Sequence, residues 1–105
     1  MTKKKLFQIL LPLYNKEGEP IPVENYKELK VELTEHFGGL TSYSRSPATG
    51  VWKDPKDEIA VDTIIVYEVV SDSREVNYWQ NLKVALEKKF DQDEIMIRCQ
   101  TIETV

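Results

Sequence analysis

The chain has 105 residues, which suits one domain (residues 1–105), and its 41% hydrophobic content is enough to form a core. Its formal charge of −4 argues against nucleic acid as a partner, because nucleic-acid-binding proteins usually present a basic face to phosphates. No apolar run approaches the roughly 20 residues of a transmembrane helix, so we expect no membrane partner. Cys99 is the sole cysteine, which excludes an intramolecular disulfide and favours a reducing, cytoplasmic setting.

The first part of the chain predicts a strand, a helix and a second strand. Residues 6–14 are apolar at alternate positions, which predicts a strand, and Pro12 should lie near its end because proline cannot donate to a sheet. After a polar connection, residues 23–37 place large apolar side chains three or four positions apart, as on one face of a helix. Gly38 suits the left-handed end of that helix, and residues 40–45 predict a short strand.

The second part of the chain predicts two turns, a strand, a helix and a final strand. Residues 47–50 and 54–57 have turn compositions, and the β-branched run 59–70 predicts the longest strand. Asp72 and Glu75 resemble a capping box that begins the second helix. Residues 94–102 alternate as a last strand.

This order predicts an α+β domain of the ferredoxin-like βαββαβ type, with a four-stranded antiparallel sheet and two helices on one face. The two halves also repeat. An offset of 53 residues takes the helical stripe Tyr26, Leu29, Leu33, Phe37 onto Trp79, Leu82, Leu86, Phe90. A repeat of about half the chain is what a doubled βαβ unit predicts.

A short pattern in the middle of the chain resembles one found in a family of small proteins. It consists of Gly-Leu-Thr at residues 39–41, Gly-Val-Trp at residues 50–52 and a following apolar strand. The chain is similar here to an uncharacterised family of small ferredoxin-like proteins, which implies an extended hairpin between the second and third strands. More loosely, the architecture resembles the dimeric α/β-barrel proteins, whose open sheet face pairs with a second subunit.

The sheet face away from the helices is where a function is to be sought. If Phe7, Ile9, Leu11 and Leu13 face the helices, the offset of 53 places Ile64 and Val66 beside them. Ile65 and Tyr67 should then lie on the opposite face. That face is too apolar for plain exposure to water, so we predict a homodimer that buries it.

Five residues on the predicted open face are candidates for binding a small anionic ligand: Tyr14, Tyr43, Arg45, Tyr67 and Arg98. Arginine can bind a carboxylate or phosphate through two hydrogen bonds, and tyrosine supplies an apolar wall and a hydroxyl. Tyrosine and arginine are also common at protein interfaces, and we favour this second interpretation.

The remaining chemistry-bearing residues favour structural roles. His36 could act as a general base at a helix end, but it more often serves there as a surface residue favoured by the helix dipole. Trp52 is expected to pack in the hairpin or to contact a second copy, and Cys99 to face the helices as a buried, inert thiol. Because the chain has one histidine and one cysteine, and no acidic run matches a calcium loop, we expect no metal and no cofactor.

Two functional hypotheses follow. The first is a homodimeric binding or structural module without catalysis. The second is a minimal enzyme of the dimeric α/β-barrel type, acting on a small organic acid or aromatic compound. In the second, Arg45 and Arg98 would orient an anion, while Tyr43, Tyr67 or His36 would transfer a proton.

Overall fold

Two βαβ units follow one another along the chain in a computed structural model of the protein. The backbone is described for residues 1–53 and 59–105, and side chains are described for residues 1–43 and 64–105. The elements are β1 (Thr2–Pro12), α1 (Val23–Phe37), β2 (Thr41–Lys53), β3 (Ile59–Ser71), α2 (Val76–Lys89) and β4 (Ile97–Thr104). In this part of the chain, neither helix is long and apolar enough to cross a membrane.

The four strands form an antiparallel sheet in the order β2-β3-β1-β4. Each central strand therefore has both of its neighbours from the other half of the chain. Both helices pack on the same face of this sheet, where their apolar stripes meet the buried residues of β1 and β3. The ferredoxin-like α+β fold predicted from the sequence is confirmed.

The core lies between the sheet and the two helices. β1 alternates between buried and partly exposed residues, as its sequence pattern predicts, and its strand ends at Pro12. Three aromatic rings form a stack: Phe7 lies 4.3 Å from Trp79, and Phe37 lies 5.3 Å from the same indole. The buried residues are Phe7, Ile9, Leu11, Ile21, Leu29, Leu33, Ile65, Tyr67, Val69, Trp79, Leu86, Phe90 and Ile95.

The side chains of β3 point toward the helices at different positions from those predicted. Ile65 and Tyr67 are buried against the helices, because Leu11 pairs with Ile65 and Ile9 pairs with Tyr67 in the sheet. Ile64 and Val66 therefore point to the open face, opposite to the prediction.

The cause of this error is that the two strands do not follow the offset of the helices. In the antiparallel pairing of β1 with β3, odd-numbered residues lie opposite odd-numbered residues, as Ile9 does with Tyr67 and Leu11 with Ile65. The helical offset of 53 instead takes an odd-numbered residue to an even-numbered one. Because side chains alternate along a strand, the helical offset assigns every β3 side chain to the wrong face.

The predicted end of α1 is found in the structure, but the predicted capping box at the start of α2 is not. Gly38 ends α1 with a φ of 84°, and its N–H donates to the carbonyl of Thr34 at 2.8 Å, as predicted. The capping box is wrong, because Glu75 adopts a left-handed conformation with a φ of 42° and gives α2 no side-chain cap. Asp72 pairs instead with Lys4 of β1, just beyond the end of β3.

The strands at the sheet edges also differ from the prediction. β2 continues through residues 47–50, where a turn was expected, and absorbs the irregularity as a register shift between Tyr43 and Ala48. The hairpin is therefore extended, as the resemblance implied. The second predicted turn, at residues 54–57, and the side chain of Trp52 lie outside the described residues. β4 begins at Ile97 rather than at residue 94.

A small polar network explains why β4 begins late. Ile95 is buried in the core, and its N–H donates to Glu87 at 3.0 Å while its carbonyl accepts from Lys83 at 2.7 Å. Lys83 also donates to Glu87 at 2.8 Å. The backbone hydrogen bonds of Ile95 are thus satisfied by α2 rather than by a neighbouring strand.

This network predicts a pH dependence of stability. The hydrogen bonds from Lys83 and from the Ile95 N–H lower the pKa of Glu87 below its ordinary value of 4.5. A carboxyl whose pKa is lower in the folded state stabilises the fold above its unfolded pKa, and this contribution is lost as the pH falls through the folded pKa. In urea unfolding, Glu87→Gln should therefore be less stable than the unmodified protein near neutral pH, and this difference should shrink as the pH falls below 4.5. A difference that stays constant over this range would contradict the prediction, and Glu35→Gln on the exposed face of α1 is the matched control.

Candidate functional site: the open face of the sheet

The open face of the sheet is formed by the side chains that alternate with the buried ones. On the central strands it carries mainly aliphatic residues, with one polar residue in the middle of each strand. The edge strands β2 and β4 add residues at the two sides. Its described members on the strands are Lys4, Leu6, Gln8, Leu10, Thr41, Tyr43, Ile64, Val66, Glu68, Val70, Arg98, Gln100 and Ile102, with Met96 at the entry to β4.

Several apolar side chains of this face are in contact with water. Val70 is 45% exposed, Tyr43 47% and Met96 49%, while Leu10 and Val66 lie half-buried between them. Neither helix reaches these residues, because both helices lie on the other side of the sheet. Exposed apolar residues gathered on one uncovered face are typical of an interaction surface rather than of a plain solvent-exposed face.

A row of hydrogen bonds crosses all four strands in the middle of the open face. Gln8 on β1 donates to Glu68 Oε1 on β3 at 2.6 Å, and Arg98 Nε on β4 donates to Gln8 Oε1 at 2.9 Å. The hydroxyl of Tyr43 on β2 donates to Glu68 Oε2 at 3.3 Å. We call the residues Tyr43, Glu68, Gln8 and Arg98 the polar row.

The polar row carries charges of opposite sign at different positions across the sheet. The carboxylate of Glu68 accepts from two neutral donors, and Gln8 separates it from the exposed guanidinium of Arg98. Arg98 also lines an open cleft of about 310 Å³ with Gln8, Cys99 and Gln100. The polar row therefore presents a carboxylate on one side and a guanidinium on the other to any partner that covers it.

The structure brings together two of the five candidate residues. Tyr43 and Arg98 belong to the polar row, but Tyr67 lies in the core, with Lys30 Nζ 5.7 Å from its ring centre on the helix side. Tyr14 lies beyond the end of β1, in an isolated bridge with Pro20, and is exposed. The side chain of Arg45 lies outside the described residues.

Sequence reasoning missed the partners of Tyr43 and Arg98. Glu68 was not considered, because the error in facing placed it on the helix side of the sheet, together with Ile64 and Val66. A signal was nevertheless present: Gln8 and Glu68 are the polar interruptions of the apolar runs 6–13 and 64–70. Two such interruptions on adjacent strands predict a pair when the register brings them opposite each other, as it does here.

A second polar cluster lies at the end of α1. His36 Nε2 lies 2.8 Å from Glu75 Oε1, the hydroxyl of Ser71 donates to Glu75 Oε2 at 3.4 Å, and the imidazole stacks on Tyr78 at 3.9 Å. The carboxylate lies between the serine and the histidine, so these side chains do not form a nucleophile hydrogen-bonded to its base. The cluster instead connects the end of α1 to the start of α2. Among the described residues, no three His, Cys, Asp or Glu side chains gather as a metal site.

Cys99 corrects another prediction. Its position opposite Phe7 places it on the helix side of β4, as predicted, but the residue is exposed because β4 is an edge strand. The expectation of a buried thiol is therefore wrong.

Comparisons with known proteins bear on the fold. No family model and no curated protein matches the chain. Among solved structures, the chain is similar to a phage SAM lyase in complex with S-methyl-5′-thioadenosine, with a TM-score of 0.62 and 11% sequence identity. The match covers 92% of this chain and 80% of the lyase chain. At this identity the likeness shows a shared fold.

Proposed function

We propose that this protein is a homodimeric binding or structural module without catalysis of its own, in which a second copy covers the open face of the sheet. The observation that supports this function is the combination of exposed aliphatic residues with the polar row on a face that no helix covers. Removing the apolar surface of such a face from water would stabilise a dimer by roughly 25 cal/mol for each Å² that is buried.

The charges of the polar row favour a copy of the same chain as the occupant. A surface that carries both an acidic and a basic residue can complement itself, since each charge can meet its opposite on the other copy. Glu68 and Arg98 supply these two charges, and apolar residues such as Leu10 and Val66 lie beside them. This combination of an apolar area with few charged groups is typical of protein interfaces.

The test is to place a charge in the middle of the apolar area. Leu10→Arg should weaken self-association by at least about tenfold, because an unpaired charge would have to be buried in the interface. Sedimentation equilibrium at micromolar concentration measures this change, and Val31→Arg on the exposed side of α1 is the matched control. A monomeric unmodified protein, or a Leu10→Arg variant that associates as well as the control, would contradict the proposal.

A minimal enzyme acting on a small organic compound is the second candidate. The observation that favours it is the shared fold with a phage SAM lyase, an enzyme of similar architecture in complex with a small nucleoside thioether. In this hypothesis Arg98 would bind an anionic group and Tyr43 would supply a hydroxyl.

A thermal-shift screen with small carboxylic acids and S-methyl-5′-thioadenosine distinguishes the two candidates. A rise in Tm that disappears in Arg98→Ala would support a ligand site on the open face. A dimer that binds none of these compounds would support the non-catalytic module.

A further inference from the structure

The spacing of the charges in the polar row limits how two copies can pair. Glu68 lies on β3 and Arg98 on β4, with β1 between them. Adjacent strands are about 4.8 Å apart, so the backbones of these two residues are separated by about 10 Å across the sheet. Gln8 fills the gap by accepting from Arg98 and donating to Glu68.

Two symmetric arrangements bring the open faces of two copies together with their strands aligned. In the first, the two-fold axis lies across the strands, above the polar row. Each residue of the row then faces its own copy, so that Glu68 faces the partner's Glu68 and Arg98 faces the partner's Arg98. Like charges placed opposite each other in an interface cost several kcal/mol.

In the second arrangement the two-fold axis runs parallel to the strands, between β3 and β1. The partner's strands then lie over the sheet in the reverse of the order β2-β3-β1-β4. As a result, β3 faces the partner's β1, and β2 faces the partner's β4. Glu68 lies within one strand spacing, about 4.8 Å sideways, of the partner's Arg98. Packed sheets are about 10 Å apart, a gap that a glutamate and an arginine side chain can bridge together.

We infer that the homodimer is formed about a two-fold axis parallel to the strands, and that Glu68 of each copy pairs with the partner's Arg98. This inference rests on the proposed function and specifies the register of its interface. Symmetry produces the pair twice, and the apolar residues beside the row exclude water from it. The polar row thus selects the orientation of the second copy, and the apolar area supplies most of the association energy.

Charge reversal tests this register. Glu68→Arg and Arg98→Glu should each weaken self-association by about tenfold or more, because each creates like-charge contacts. When the two variants are mixed in equal amounts, each contact across the mixed dimer joins a carboxylate and a guanidinium. A mixed dimer should therefore form with nearly the affinity of the unmodified protein. The double variant Glu68→Arg/Arg98→Glu should likewise regain a homodimer. Native mass spectrometry with one variant isotopically labelled counts the mixed species.

Complementation between two chains separates pairing from a structural role within one chain. If each reversal acted only by breaking the hydrogen bonds to Gln8, mixing the variants would restore nothing, and the inferred register would be wrong. Mixing Glu35→Arg with Lys27→Glu, on exposed positions of α1, is the matched control and should yield no preference for mixed dimers. If the unmodified protein dimerises and Leu10→Arg disrupts it, but mixing gives no rescue, only this inference fails. A monomeric unmodified protein would overturn the proposed function as well.

Discussion

Replacing Tyr67 by alanine is expected to reduce the free energy of unfolding by about 3–5 kcal/mol, the usual cost of removing a buried aromatic side chain. Tyr67 is 1% exposed and pairs with Ile9 in the centre of the sheet, facing the helices. Its removal would leave a cavity between β3 and α1, where Lys30 lies over the ring. Burial also raises the pKa of its hydroxyl, which agrees with a position inside the core.

Tyr43→Ala is the matched comparison, because it removes the same side chain from the open face. Tyr43 is about half exposed, so its loss should change the free energy of unfolding by no more than about 0.5 kcal/mol when measured at concentrations where the protein is monomeric. Urea unfolding followed by circular dichroism measures both values. Similar costs for the two tyrosines would mean that β3 faces the other way, as the offset of the helices alone predicts.

Trp79→Ala is expected to be at least as damaging, with a loss of about 3–5 kcal/mol. The indole lies in the aromatic stack between Phe7 on β1 and Phe37 at the end of α1, and is 6% exposed. It therefore joins the sheet to both helices, and no neighbouring side chain can fill its volume without moving. Protein that is insoluble on expression would agree with this loss, and a stability within about 1 kcal/mol of the unmodified protein would contradict it.

Trp79→Phe keeps the stack but removes the indole N–H. Within the described part of the chain this N–H is buried and has no hydrogen-bond partner. Its removal therefore breaks no hydrogen bond, and the conservative change should cost no more than about 1.5 kcal/mol, from lost volume alone. A cost near that of Trp79→Ala would show that the indole N–H has a partner in solution.

The fold could be predicted because its determinants are periodic in the sequence. β1 alternates at period two, and both helices carry an apolar stripe at the helical period. Gly38 ends α1 because it adopts a left-handed conformation with little strain. These signals are local, and each was read correctly.

The facing of β3 and the composition of the site could not be obtained in the same way. Facing depends on the register in which β1 pairs with β3, and the repeat in the helices carries no information about this register. The polar row depends on register, which aligns Gln8 with Glu68 and with Arg98 only after the sheet is assembled. The failed capping box has a similar origin, since Asp72 and Glu75 are engaged by Lys4 and His36 from distant parts of the chain.

The sheet order also has a consequence for folding kinetics. β1 pairs with β3 and with β4, so that Lys5 meets Ser71 on one side and Thr101 on the other. Contacts between such distant residues require the closure of long loops, which slows folding relative to helical proteins of the same size. The apolar open face exists as soon as β1 and β3 pair, but Arg98 joins it only when β4 docks. A chain that has not yet docked β4 lacks one of the two charges that orient the second copy in the proposed homodimer, so the proposal predicts that ordered association waits until the sheet is complete.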